Sequence, residues 1–312
     1  MIIKSSYNSR FGWGNGHLQT IVPALLRSPK VTYHRNTYRT NDNDELSLDW
    51  IKKNKKKCVV ISHGLEGSSS SFYVAGLAQY IAAHDFDVCA WNYRACDGKT
   101  NKKLGFYHSG FTADLKEVVA HVCSKYQEVY LVGFSIGANI TLKYLGQEGA
   151  GYLKEIKKAV CFSAPTDLRA CSQILDTGFS KIYRKRFLLR LKQKLIDKNN
   201  RFPNAFDLSA FGTIKTLTDF DNAYTAPLYG FKDAADYYKQ SSAKQFIQDI
   251  KLPTLIISAQ NDPFLAPQAY PIQECKHHQY VDLEMPKAGG HCGFLKSLGA
   301  YWSDERVVSF FE

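Results

Sequence analysis

No run of eighteen or more apolar residues occurs in this 312-residue chain, so no segment is expected to cross a bilayer as a helix. Its opening, MIIKSSYNSRFGWGNG, has no basic end, no apolar stretch and no small-residue cleavage site, and is read as carrying no signal peptide. C-x-x-C pairs are missing too. The eight cysteines (58, 89, 96, 123, 161, 171, 275 and 292) show no metal-ligand spacing. Neither a metal nor any other cofactor is therefore assigned. Several cysteines lie in apolar runs, as Cys161 does in AVCFSA, and read as small buried hydrophobes. That usage fits a reducing, cytoplasmic compartment better than a disulfide framework. Internal repeats and low-complexity tracts are likewise missing, and nothing in the sequence sets an oligomeric state.

What is present can fill a large core: 45% of residues are hydrophobic and 13% aromatic, which argues against disorder. The length suits a single α/β domain, 1–312. The formal net charge is +11. KKNKKK (Lys52–Lys57) lies between two strand-like runs and reads as a solvated hairpin turn at a sheet edge. KIYRKRFLLRLKQKLIDK (Lys181–Lys198) repeats Leu188, Leu191 and Leu195 at helical spacing among cations. It reads as an exposed helix whose apolar stripe covers the core; the sharper reading is peripheral attraction to an anionic membrane surface. No nucleic-acid module accompanies the charge, so no nucleic-acid partner is assigned.

Strand-like and helix-like runs alternate. CVVIS (Cys58–Ser62) is apolar without polar alternation, the pattern of a parallel strand buried on both faces. A helix over Phe72–Ala83 follows, then a strand at Val88–Trp91 and a helix at Leu115–Cys123. Next come a strand at Val129–Val132, a helix at Ala138–Leu145 and a strand at Ala159–Phe162. Strands resume at Thr254–Ser258 and Tyr280–Leu283. Between approximately 165 and 248 the pattern is helical and irregular, read as an inserted cap. Val31–Arg39 and Leu46–Ile51 read as an antiparallel pair. Alternation of this kind predicts a mostly parallel sheet with helices on both faces.

The stretch LVGFSIGANI places Ser135 between Gly133 and Gly137, at the junction of a strand and a helix. A tight turn there lifts a serine clear of the sheet, and glycines two residues either side relieve the collision. Ser135 is the candidate nucleophile. Its acid and base should follow in that order. Asp262, in AQNDPF just past a strand end, is the candidate acid; Asn261-Asp262-Pro263 as a plain turn is the bland alternative. His291, in the glycine-rich PKAGGHCGF before the helix-like FLKSL, is the candidate base. His63 sits on the oxyanion side, His108 reads as structural or supporting, and His277 and His278 read as an exposed pair. ISHGLEGSSSSF (Ile61–Phe72) lacks the ending of a phosphate-binding loop. It is read as the oxyanion segment, with the Leu65 and Ile136 backbone amides as donors. In this scheme His291 takes the Ser135 proton, Ser135 attacks an acyl carbonyl, and Asp262 steadies the imidazolium.

With these residues the chain resembles the α/β-hydrolase superfamily, and within it the YheT-like family, AB hydrolase family 4. NGHLQTIVP (Asn15–Pro23), HGLEGSSSS, NYRACDGKTN (Asn92–Asn101), YHSGFTADL (Tyr107–Leu115), GFSIGANITLKYLG (Gly133–Gly146) and GGHCGF (Gly289–Phe294) carry the likeness, which spans nearly the whole chain. It implies carboxylic-ester hydrolysis on medium-chain or lipid-like esters. Family members include acylglycerol lipases, phospholipases and alcohol acyltransferases. With no N-terminal anchor read, the likeness is to the bacterial branch. Acyl transfer or thioester cleavage by the same triad is the enzymatic alternative. A non-catalytic scaffold with a hydrolase fold is the alternative from another class. Dehalogenase and epoxide-hydrolase chemistry would want an aspartate at position 135.

Overall fold

The computed structural model describes residues 1–9, 12–297 and 299–312. Arg10 and Phe11, in the opening stretch read for a leader, and Leu298, closing FLKSL, lie outside the described residues. Ile2–Ile3 forms β1 and Gly16–Leu26 forms α1, followed by β2 (His34–Arg39), β3 (Glu45–Ile51) and β4 (Lys57–Ser62). Then come α2 (Phe72–Ile81), β5 (Asp87–Trp91), α3 (Thr112–Cys123), β6 (Glu128–Phe134), α4 (Ile136–Glu148) and β7 (Ile156–Phe162). From β7 to β8 (Thr254–Ile257) the described chain is helical: α5 (Leu168–Ile174), α6 (Lys181–Arg201), α7 (Leu217–Phe220), α8 (Ala226–Tyr229) and α9 (Ala234–Ser241), with shorter turns between. α10 (Ile272–Cys275), β9 (Val281–Glu284), the β10–β11 hairpin (Leu295–Ser297, Ala300–Tyr301) and α11 (Trp302–Phe311) complete it.

Nine strands form one sheet in the order β1-β9-β8-β7-β6-β4-β5-β3-β2. All neighbours are parallel except β2–β3 and β3–β5. This is the α/β-hydrolase fold. β4 shows why CVVIS has no polar face. Cys58 and Val60 enter the cluster under α3 and α4, while Val59 and Ile61 enter the cluster with α2 and α11. Successive side chains of a strand point to opposite faces, so a strand covered on both sides is apolar throughout.

Three local expectations are corrected. Lys52–Lys57 does not turn a hairpin, because β5 lies between β3 and β4. The segment crosses beneath β5 instead, where Asp87 Oδ1 accepts the Lys53 and Lys55 N–H groups at 2.7 and 3.2 Å. Within FLKSL, Leu295–Ser297 is strand, paired with Ala300–Tyr301; the closing helix starts only at Trp302. His278 is buried, its Nε2 meeting the Ile247 carbonyl at 2.9 Å. Only His277 of that pair is exposed.

Candidate active site

Ser135 stands where β6 ends and α4 begins, with φ 55° and ψ −122°. Such a conformation is strained for a residue bearing a Cβ and must be imposed by its surroundings. Here the Ser135 N–H donates to the Phe162 carbonyl at 2.9 Å, and the Ser135 carbonyl accepts the Ala138 and Asn139 N–H groups. The turn is too tight for side chains beside it. A Cβ on Gly133 would lie 2.5 Å from the Gly137 carbonyl oxygen, and one on Gly137 2.5 Å from the Ser62 and His63 oxygens.

β8 and β9 deliver the next two groups. Asp262 lies in the loop after β8 and His291 in the loop after β9, and the structure brings them together. His291 Nδ1 is 2.9 Å from Asp262 Oδ2 and 3.1 Å from Oδ1. The Phe264 ring stacks on the imidazole at 4.1 Å between centroids, with planes 14° apart. Burial alone would depress this imidazole, but the adjacent Asp262 carboxylate outweighs it and raises the pKa above the usual 6.5. His291 and Ser135 both line the same two hollows.

The expected oxyanion segment lies against the serine: a Cβ on Gly64 would touch Ser135 Cβ at 3.2 Å. The amides flanking Leu65 are occupied. Gly64 N–H donates to Tyr73 Oη and Glu66 N–H to Tyr107 Oη, both at 2.9 Å. Among the described residues, neither the Leu65 N–H nor the Ile136 N–H has an intramolecular acceptor. Backbone amides are obligatory donors, so two free ones beside a serine are available to an oxygen from outside. His63 is held neutral: Nδ1–H donates to the Gly64 carbonyl, Nε2 accepts the Tyr93 N–H, and burial pushes its pKa down to about 3.

Several supporting residues escaped the sequence reading. Helix α1 clamps both loops. Gln19 Oε1 accepts from Gly289 N–H at 2.6 Å and from Asn261 Nδ2 at 3.0 Å. Thr20 Oγ1 accepts the His291 N–H, and Asn261 Oδ1 accepts the Gly290 N–H. This gives NGHLQT a physical role: it braces the loops that carry Asp262 and His291. Helix α6 clamps the other side. Lys194 pairs with Glu66 at 2.8 Å, both side chains buried, and Arg190 donates to the Glu66 carbonyl. Lys194 and Lys198 therefore point inward, contrary to the picture of a uniformly exposed cationic face. Leu188 is packed in the core, whereas Phe187 and Leu191 line the inner hollow.

That inner hollow is walled mainly by Leu65, Leu168, Leu191, Phe220 and Leu265. An open groove, also lined by Ser135, runs past Ile21, Leu25, Ser68, Arg186 and Arg190.

A family profile described as alpha/beta hydrolase fold matches residues 57–298. Over 308 residues the chain is 33% identical to YheT of Escherichia coli (strain K12), whose name assigns it to the esterases; the match covers 95% of this chain and 90% of that one. It is 30% identical over 287 residues to the monoacylglycerol lipase of Saccharomyces cerevisiae, covering 88% of this chain and 62% of that one. The solved Pyrococcus furiosus esterase Pf2001 shares the fold, with a TM-score of 0.61 at 18% identity over 90% of this chain and 92% of that one. A profile spanning most of its length, and a relative one-third identical along nearly all of it, establish that the chain belongs to the alpha/beta hydrolase family.

Proposed function

We propose that this hydrolase is a serine carboxylic-ester hydrolase that uses Ser135, Asp262 and His291 through an acyl-enzyme, on medium-chain or lipid-like esters. The observation that carries this reading is a hollow lined at once by the strained, lifted Ser135, by His291, whose imidazole is held by a carboxylate, and by Leu65 and Ile136, whose amides are unoccupied. His291 takes the proton of Ser135 as the hydroxyl attacks the ester carbonyl. The amides of Leu65 and Ile136 hold the oxyanion, each worth about 3 kcal/mol at the transition state. His291 then protonates the leaving alcohol, and water resolves the acyl-enzyme by the same route reversed. The apolar inner hollow takes the acyl chain and the open groove the alcohol. The segment from 165 to 248 acts as a cap on a single 1–312 domain, its Phe187, Leu191 and Phe220 closing the acyl site. A carboxylic-ester substrate agrees with the names of the relatives, which include a lipase and a protein assigned to the esterases. Eight free cysteines support a cytoplasmic setting.

Hydrolysis of p-nitrophenyl esters of graded chain length tests this. Turnover that vanishes in Ser135→Ala supports it; turnover that survives in Ser135→Ala defeats it.

A second reading concerns where the enzyme works. Phe179, Ile182 and Leu189 are 48%, 56% and 58% exposed along the start of α6, among Lys181, Lys185 and Arg186. Apolar side chains in a cationic surround support peripheral contact of Lys181–Lys198 with an anionic bilayer, carried by its outward residues only.

A further inference from the structure

The inner hollow has one feature that a plain hydrocarbon chain does not need. Asp221 lines it, between Phe220 and the Thr225 wall. The turn Asp221–Thr225 is π-helical, set between α7 and α8. Such turns are rare and concentrate at functional sites. Each carboxylate oxygen receives one hydrogen bond: Thr225 Oγ1–H donates to Oδ1 and Tyr238 O–H to Oδ2, both at 2.6 Å. A carboxylate has room for about four. No cation offsets the group among the described residues; burial pushes its pKa up to about 6, countered only by those two donors. His108 shares the hollow but is held neutral by burial, its pKa pushed down to about 3. An unbranched alkyl chain would strip water from this carboxyl and give nothing back.

We propose that Asp221 accepts a hydrogen bond from a hydroxyl carried on the acyl chain, making esters of hydroxylated fatty acids the preferred substrates. The proposal rests on the reading of the inner hollow as the acyl site. A neutral hydroxyl fits better than an ammonium, because Leu168, Leu175, Leu217 and Phe220 offer a cation no water. The hydroxyl donates to the free face of Asp221 while the chain keeps its apolar contacts on either side.

The test is a series of 4-nitrophenyl decanoates with one hydroxyl moved carbon by carbon along the chain, read as kcat/KM relative to the plain decanoate. The expected result is one position favoured at least tenfold in the wild type. That ratio falls to within twofold of unity in Asp221→Ala. Because the ratio is internal to each variant, a reduced folded fraction cancels. Asp221→Asn, of the same shape, covers the case in which alanine unfolds, and should cut the ratio at least threefold. The proposal is overturned if no position is favoured more than twofold, if the preference persists in the variants, or if an ω-ammonium chain is turned over faster. A wild type that cleaves the plain ester without hydroxyl preference removes only this proposal. One that cleaves none of the esters removes the hydrolase reading as well.

Discussion

Ser135 shows how few residues set the conformation of a turn. Two glycines permit a positive φ that a neighbouring Cβ would forbid, and a GxSxG between an apolar strand and a helix is enough to read this from sequence. Gly137→Ala should therefore lower the melting temperature and remove turnover together, since its Cβ must push against two backbone carbonyls. His291→Ala should reduce kcat on p-nitrophenyl esters about 10⁴-fold, with a circular dichroism spectrum unchanged from the wild type. The pH profile carries a sign. His291 must be neutral to take a proton, and the Asp262 carboxylate raises its pKa above 6.5 against the opposing effect of burial. Hence kcat/KM should climb with pH through a midpoint above 6.5. In Asp262→Asn the raising charge is gone and burial remains, so the midpoint should move down while the rate collapses. A wild-type midpoint at or below 6.5 would contradict the pairing. The supporting residues were not legible in this way. Phe264 on the imidazole, and Gln19 and Thr20 behind its loop, are facts of packing that no sequence pattern marks.

At the scale of elements, the core strands are legible to within three residues at either end, because a strand covered on both faces is apolar without interruption. Elements whose identity depends on a distant partner are not. β1 is two residues long and exists only through pairing with β9, and Leu295–Ser297 takes strand form only through its hairpin with Ala300–Tyr301. The motif NGHLQT does not by itself mark the helix α1 that carries it. Its role is tertiary, since Gln19 and Thr20 reach loops some 270 residues away in sequence. The periodicity of α6 predicts an amphipathic, exposed helix, yet Lys194 and Lys198 are buried in polar contacts that periodicity does not reveal. Their heads meet Glu66, Asn101 and the Lys103 carbonyl. The Lys194–Glu66 pair ties α6 to the oxyanion segment, which allows a quantitative prediction. Lys194→Met leaves the Glu66 carboxylate buried without its cation, at about 3–5 kcal/mol. Thermal denaturation should show a clear fall in melting temperature. The double variant with Glu66→Gln should recover part of it, as a double-mutant cycle reports. Additive losses would mean that the two side chains do not act as a pair.

Across the whole molecule, the charge is distributed with consequence. Of the basic run Lys181–Lys198, the outward part lies beside exposed Ile182 and Leu189, and the groove toward Ser135 opens past Arg186 and Arg190. No described helix is long and apolar enough to cross a membrane. The contact proposed for this face is peripheral, electrostatic as well as apolar. The protein should co-sediment with vesicles containing phosphatidylglycerol, and much less with pure phosphatidylcholine. Raising the salt from 0.05 to 0.5 M, which shortens the screening length to a few ångströms, should weaken it. Ile182→Ser with Leu189→Ser should reduce binding without changing turnover of a short soluble ester. Binding insensitive to salt and to both substitutions would remove the membrane reading and leave the chemistry untouched.

The most direct test is covalent labelling with a fluorophosphonate, followed by intact mass and peptide mapping. One adduct per chain, located on Ser135, lost in Ser135→Ala and slowed at least a hundredfold in His291→Ala, is the expected result. A folded wild type that takes up no label, or an adduct that persists in Ser135→Ala at the same rate, would contradict the assignment of Ser135 as an activated nucleophile.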